Sequence, residues 1–252
     1  MIKYLLVIFF LLQTLLSVSQ VVNIERKRLD VDSSGTYGKI SASVLYIKNT
    51  KKIWNSSLDF NVVKIKEKHQ WYFIGKLNMQ IVEATKIVNK GYKHIRYNYR
   101  LLSNERLFFE VFEQLQFDAI RKIEKRFLFG TGIRYSPVLK RKFRISLGIG
   151  PMYEYETFNG INTYYSWLRL NSYFFVKAKV LENIFLYSTT YYQPLFSAFK
   201  ANYRVFNNTG ISFSMNDNFS FFVDYEVIYD TFLPINVPEK VYNLKNGLSY
   251  NF

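Results

Sequence analysis

The sequence predicts an all-β protein: an antiparallel, up-and-down transmembrane β-barrel of about 12 strands that follows a cleaved signal peptide. Three observations lead to this prediction. The chain begins with a short apolar segment, 19% of its residues are aromatic, and apolar and polar residues alternate from residue 38 to the end.

The N-terminal segment has the pattern of an export signal. Lys3 precedes a nearly unbroken apolar run over residues 4–16, and Ser17 and Ser19 are the small residues that a signal peptidase recognises. A spanning helix needs about 20 apolar residues, so this run is short for an uncleaved anchor, which is the alternative. We therefore predict a signal peptide at 1–19, a periplasmic lead-in at 20–37 and a transmembrane β-barrel at 38–252.

The composition narrows the class of protein further. The chain has no cysteine, which excludes a disulfide-stapled domain and a thiolate metal site. It has 21 Tyr and 24 Phe, and Tyr suits a membrane interface, where one end of the ring is apolar and the other is wet. The net charge of +15 favours anionic partners. Because export argues against nucleic acid, the expected partners are outer-membrane lipid and small anionic solutes.

The alternation of residues is that of barrel strands. In 219–229, Phe219, Val223 and Tyr225 alternate with Asp224 and Glu226. A helix would distribute these charges around all its faces, whereas a strand places them on one face. Turn-forming residues divide the rest of the chain into twelve such segments, an even number that puts both termini in the periplasm.

The predicted connections show the asymmetry of outer-membrane barrels. Those after even strands are short, such as Pro137–Lys140, and most of those after odd strands are longer, such as 84–90 and 231–239. The alternative is a soluble lipocalin-like barrel or sandwich with aromatic residues in its core, which would need only about eight strands.

The C-terminus carries a second localisation signal. Lys245, Gly247, Tyr250 and Phe252 resemble the recognition signal that the barrel-assembly machinery reads on outer-membrane proteins. Such a strand can add to an open sheet edge by backbone pairing while its aromatic side chains fill pockets. Together with the signal peptide, this segment predicts the bacterial outer membrane as the location and the assembly machinery as a partner.

The alternation also predicts which charged side chains face the lumen. A basic interior favours anions, whereas a mixture of signs would form an ion-paired plug, and the short loops favour the plug. Glu113 is an exception, because the alternation places it on the lipid face. The basic candidates are Lys39, Lys76, Arg96, Arg100, Arg106, Arg126, Arg134, Lys142, Arg144, Arg169, Arg204 and Lys245, and the acidic ones are Asp59, Glu110, Asp118, Asp224 and Glu226.

The residues expected of an enzyme are scarce. The only histidines are His69, in a predicted periplasmic turn, and His94, on the inward face of the fourth strand. No serine-containing esterase motif accompanies them, so a lipid-modifying enzyme is the less favoured alternative. With no cysteine and two distant histidines, we expect no metal or other cofactor.

The sequence also resembles a known family. The matching segments are Val22–Arg28, Asp30–Gly35, Arg96–Leu101, Phe127–Tyr135 and Phe143–Tyr155. They resemble the salt-induced outer-membrane protein family, a domain of unknown function. This resemblance implies an outer-membrane barrel with a link to osmotic stress, and it brings no established catalytic or binding residues.

Overall fold

The fold is a single antiparallel β-sheet, seen in a computed structural model that describes residues 34–48, 51–102, 106–140, 142–160, 162–216, 219–233 and 237–250. The predicted signal peptide and the terminal Phe252 lie outside these residues, as do the side chains of Lys39, Lys245 and Tyr250. Within them, no helix is long and apolar enough to cross a membrane.

Twelve strands are present in the described residues, as the alternation predicted. They are β1 (Gly35–Lys48), β2 (Lys52–Lys66), β3 (His69–Val82), β4 (Thr85–Arg100), β5 (Leu107–Asp118), β6 (Ile123–Lys140), β7 (Phe143–Phe158), β8 (Tyr164–Leu181), β9 (Ile184–Pro194), β10 (Tyr203–Ser214), β11 (Phe219–Asp230) and β12 (Lys240–Tyr250).

Each strand pairs with its neighbours in the chain, in the order β1 to β12. The predicted up-and-down topology is therefore confirmed. A β1–β12 ladder is not among the pairings of the described residues. In this topology the turns after odd-numbered strands all lie at one end of the sheet, which we call the loop end, and the start of β1 and the end of β12 lie at the opposite end.

The sheet curls strongly enough for distant strands to touch. Arg121, in the β5–β6 turn, lies 3.2 Å from Asp230 at the end of β11. Arg204 of β10 reaches Glu154 of β7 at 2.8 Å, and Tyr173 of β8 donates a hydrogen bond to Glu110 of β5 at 2.8 Å. The sheet thus has a concave face that encloses an interior, as in a barrel.

The two faces of the sheet differ as the alternation predicted. Asp224 is buried on the concave face, whereas Phe219 and Tyr225 of the same strand are exposed on the convex face. Ile149 and Leu168 are 58% and 53% exposed on that convex face. An apolar outer face over a polar interior is the inverse of a soluble protein, and it is the pattern of a membrane barrel. The predicted fold class is confirmed.

Two predicted connections are wrong, because the chain continues in strand conformation through them. β4 already begins at Thr85, and the β3–β4 connection is a tight turn in which Glu83 and Ala84 adopt positive φ. β6 runs on to Lys140, and a bulge in its pairing with β7 accommodates Pro137. The lengths of the connections therefore alternate less regularly than predicted.

Glycines on the concave face make room for aromatic rings of the neighbouring strand. Gly148 is the cross-strand partner of Tyr173, and Gly130 is the partner of Phe112. A Cβ atom on either glycine would overlap the partner's ring. Each ring therefore lies flat over glycine backbone, which orients the Tyr173 hydroxyl toward Glu110.

Candidate functional site in the barrel interior

The structure places most of the predicted lumen residues on the concave face. Lys142 departs from the prediction: it lies in the β6–β7 turn with 72% of its side chain exposed, next to Glu182. Arg106 is exposed just before β5. The residues found on the concave face are Asp59, Lys76, Arg96, Arg100, Glu110, Asp118, Arg126, Arg134, Arg144, Arg169, Arg204, Asp224 and Glu226.

The most densely charged part of the interior lies near the loop end. Seven side chains meet there, and none is more than 4% exposed. We call this group the arginine–carboxylate cluster. Its members are Arg121, Arg126, Arg169, Arg204, Glu154, Glu156 and Asp230.

Glu154 of β7 and Arg204 of β10 form an ion pair across this cluster. Arg204 Nη1 donates to Glu154 Oε1 at 2.8 Å. Arg126 Nε lies 3.1 Å from the same oxygen, and Arg169 Nε donates to the other oxygen, Oε2. Because three arginines from β6, β8 and β10 share one carboxylate from β7, Glu154 joins four strands.

Asp230 is the second shared carboxylate of the cluster. Its Oδ2 accepts a hydrogen bond from Arg204 Nε at 2.9 Å and another from Arg121 Nη2 at 3.2 Å. Arg126 lies 3.7 Å away and pairs more closely with Glu156. The guanidinium groups of these arginines therefore pair with carboxylates and do not line an open channel.

Arg121 reaches the cluster from outside the strands. Asp118 accepts hydrogen bonds from the backbone N–H groups of Ile120 and Arg121, at 3.1 and 3.4 Å, and so holds the β5–β6 turn. Burial lowers the pKa of the Arg121 guanidinium to about 10, with the carboxylate of Asp230 opposing the shift. The side chain thus remains protonated at neutral pH.

Arg169 connects the cluster to the loop between β9 and β10. Its Nη1 donates to the carbonyl oxygen of Gln193 at 3.1 Å, and its Nη2 donates to Asn202 Oδ1 at 2.9 Å. The guanidinium also lies 4.8 Å from the ring centroid of Trp167. Arg169 thus ties the cluster both to β9 and to the β9–β10 loop.

A second polar network occupies the middle of the concave face. Arg96 pairs with Glu110 at 3.2 Å and donates from Nε to His94 Nε2 at 3.3 Å. Because an arginine Nε can only donate, His94 Nε2 must be the acceptor, and the ring proton is on Nδ1. His94 Nδ1 then donates to Gln114 Oε1 at 3.0 Å. These hydrogen bonds fix the orientation of the His94 ring.

The remaining predicted carboxylates have partners of their own. Asp224 accepts a hydrogen bond from the Tyr187 hydroxyl. Glu226 accepts one from the Asn243 amide at 3.4 Å, and Asp59 lies 3.6 Å from Lys76.

Sequence reasoning missed four members of the cluster. Glu154 and Glu156 are in phase with Arg144 on β7, and Asp230 is in phase with Asp224 on β11, so the same alternation could have identified them. Arg121 had no such signal, because it lies in a turn. In the part of the chain that the structure describes, no group of three or more His, Asp or Glu side chains could hold a metal ion.

This fold and interior define a class, that of the up-and-down transmembrane β-barrels. The chain belongs to the family described as "Protein of unknown function, DUF481", whose model matches residues 49–252. The resemblance found in the sequence is confirmed to that extent, a barrel-type domain of unknown function. No curated protein matches the chain significantly.

Solved structures of other proteins are similar to this chain at very low sequence identity. The NanC porin is 8% identical with a TM-score of 0.53, over 86% of this chain and 98% of the porin. The translocator domain of autotransporter NalP from Neisseria meningitidis is 8% identical with a TM-score of 0.44, over 89% and 91%. The β domain of the Bordetella autotransporter Brka is 12% identical with a TM-score of 0.39, over 88% and 100%. The likeness to the porin shows the fold alone.

Proposed function

We propose that this chain is a non-enzymatic outer-membrane β-barrel whose interior is closed near the loop end by the arginine–carboxylate cluster, and that it supports envelope integrity under osmotic stress. The observation that carries the proposal is the pairing of Arg126, Arg169 and Arg204 with Glu154 and Asp230, all at most 1% exposed. The osmotic link rests on the resemblance to salt-induced outer-membrane proteins.

Pairing of this kind supports a plug over an open anion path. Arginines that select anions line a wet constriction and meet the passing ion. Here each guanidinium meets carboxylates from other strands, and Arg169 also binds the β9–β10 loop. A barrel whose interior is plugged, and whose strands are joined by ion pairs in that interior, fits a structural role in the envelope.

The two histidines support a non-enzymatic role. Arg96 occupies His94 Nε2 and Gln114 occupies Nδ1, so neither nitrogen can take a proton from a nucleophile without breaking this network. His69 lies on the convex face, where its Nδ1 is 2.7 Å from the Tyr97 hydroxyl. A lipid hydrolase would need one of these bases beside a serine.

A narrow anion-favouring pore is the second candidate function. It is favoured by the basic residues Arg100 and Arg144, which are only half-buried on the concave face. Both lie at the end of the sheet opposite the loop end. The name of the structurally similar NanC porin adds to this possibility. The two candidates differ in whether the cluster leaves a path for ions.

Planar-bilayer recordings test the proposal. The native protein is expected to give no steady conductance, and Glu154→Gln is expected to open ion-conducting events because it removes the shared carboxylate. Asp59→Asn is the matched control, since Asp59 also faces the interior but is one-third exposed beside Lys76. Steady anion-selective channels from the native protein would establish the pore instead. Survival of cells carrying each variant after an osmotic upshift tests the physiological role.

A further inference from the structure

The convex face carries an ion pair among apolar neighbours, between Lys93 and Glu113. Lys93 Nζ lies 3.6 Å from Glu113 Oε1, with 53% and 41% of the two side chains exposed. Glu113 is therefore on the outer face, as the alternation indicated, and β5 keeps its register with β4 at this point. Charged side chains on a lipid-facing surface are rare and usually have a function.

The pair lies at mid-height rather than at a rim. Lys93 is the ninth of the 16 residues of β4, and Glu113 is the seventh of the 12 residues of β5. Its neighbours on the same face are Ile95, Phe129 and Leu77, which are 38%, 45% and 49% exposed. In a barrel that spans a bilayer, this position faces hydrocarbon.

Lipid cannot satisfy these charges there. The hydrocarbon core is about 30 Å thick, so headgroups lie about 15 Å from its middle. Charges that face lipid at this depth destabilise a barrel. On β7 and β8 the large exposed residues of the convex face, Ile149, Leu168 and Phe174, are apolar. The charged pair of Lys93 and Glu113 therefore marks a place on the convex face where a protein partner would shield charge from lipid.

We propose that this face, centred on Lys93 and Glu113, binds a second copy of the chain within the membrane. A two-fold axis beside the pair would place Lys93 of each copy against Glu113 of the other, because an isologous interface repeats each contact in both directions. Four charges would then form a closed ring shielded from lipid by Ile95, Leu77 and Phe129. This inference rests on the proposed location of the barrel in a membrane.

Site-specific crosslinking tests the interface in the full chain. The chain has no native cysteine, so Ile95→Cys introduces a single thiol at the proposed interface. A short bis-maleimide added to intact membranes is expected to crosslink this variant into dimers. Leu168→Cys is the control, since Leu168 is more exposed than Ile95 but lies on β8, away from the ion pair.

Charge variants separate pairing between copies from pairing within one copy. In the Ile95→Cys background, Lys93→Glu alone and Glu113→Lys alone are each expected to lower the amount of crosslinked dimer at least tenfold. The reason is that like charges then face each other across the two-fold axis. When the two variants carry different tags and are expressed together, the mixed dimer is expected to return to the native level. An ion pair confined to one copy predicts no such recovery.

Three outcomes would overturn the proposal: no dimer from Ile95→Cys, an equal dimer from Leu168→Cys, or no recovery on co-expression. The double variant Lys93→Gln and Glu113→Gln is a second test of the interface. It removes both charges without introducing repulsion, and it is still expected to lower the amount of crosslinked dimer. Heat-modifiable, membrane-inserted monomer in these assays refutes the interface and leaves the proposed function intact. Absence of every variant, and of the native chain, from the membrane would refute the proposed function itself.

Discussion

Arg204 Nε lies 2.9 Å from Asp230 Oδ2, and the two residues are direct cross-strand partners in the β10–β11 ladder. A pair at these ladder positions would form in any flat sheet. What the curled sheet adds is Arg121, whose side chain reaches the same oxygen from a turn 109 residues earlier in the chain. Asp230 therefore pairs both with Arg204 on the adjacent strand and with Arg121 from a distant turn.

Removing the charge of Asp230 is expected to destabilise the fold. Asp230→Asn leaves Arg204 and Arg121 without their shared carboxylate. The loss of one partner from a buried ion pair costs about 3–5 kcal/mol, and less where water can enter the interior. Urea unfolding of the protein refolded in detergent micelles measures the change. Glu226→Gln is the control: Glu226 is half-buried outside the cluster and accepts a long hydrogen bond from the Asn243 amide, so a loss of about 1 kcal/mol or less is expected. Equal losses in both variants would contradict the role of the cluster.

An arginine on the convex face should reveal whether that face meets lipid. Ile149 and Met215 are both 58% exposed, but Ile149 lies within β7 and Met215 lies in the β10–β11 turn. Ile149→Arg is expected to cost about 2–4 kcal/mol in a bilayer, because the charge faces hydrocarbon, and Met215→Arg about 0–1 kcal/mol. The measurement is the unfolding free energy in liposomes. In a water-soluble protein the two variants would behave alike.

The C-terminal strand should control assembly. If residues 245–252 are the assembly signal that the sequence predicts, deletion of Phe252, or alanine at both Tyr250 and Phe252, is expected to block insertion. The measurement is the fraction of heat-modifiable protein in outer membranes. Tyr242→Ala is the control, since Tyr242 is an exposed aromatic residue of the same strand outside the last eight residues. Normal insertion without both terminal rings would show that the signal is elsewhere.

The glycine beneath Tyr173 should be sensitive to a single methyl group. In Gly148→Ala the new Cβ would overlap the Tyr173 ring and displace its hydroxyl from Glu110. Overpacking of this kind costs about 1–3 kcal/mol. Gly38→Ala is the comparison, because the nearest atom to its Cβ is a Val62 methyl carbon at 3.3 Å. The same unfolding assay applies, and a neutral Gly148→Ala would mean that the ring has room to move.

Much of the fold was predictable because a strand has a strict period of two. That period assigned Asp224 to the concave face and Tyr225 to the convex face, and it placed Glu113 correctly outside although the residue type argued against it. It failed where a residue lies outside a strand: Lys142 was assigned to the lumen although it lies in a turn. The turn at Pro137–Lys140 was predicted from composition, and composition does not reveal a bulge.

The sequence by itself determined which face each strand residue occupies, because alternation is a local property of extended backbone and needs no knowledge of the neighbouring strands. Only the tertiary structure decided which inward charges meet. Arg204 and Glu154 are 50 residues apart on strands that are not adjacent, and they touch because the sheet curls until its concave side chains reach one another. Curvature depends on twist and coiling summed over many strands, so no short stretch of sequence reveals it. The arginine–carboxylate cluster, and with it the proposed closed interior, therefore became visible only in the folded chain.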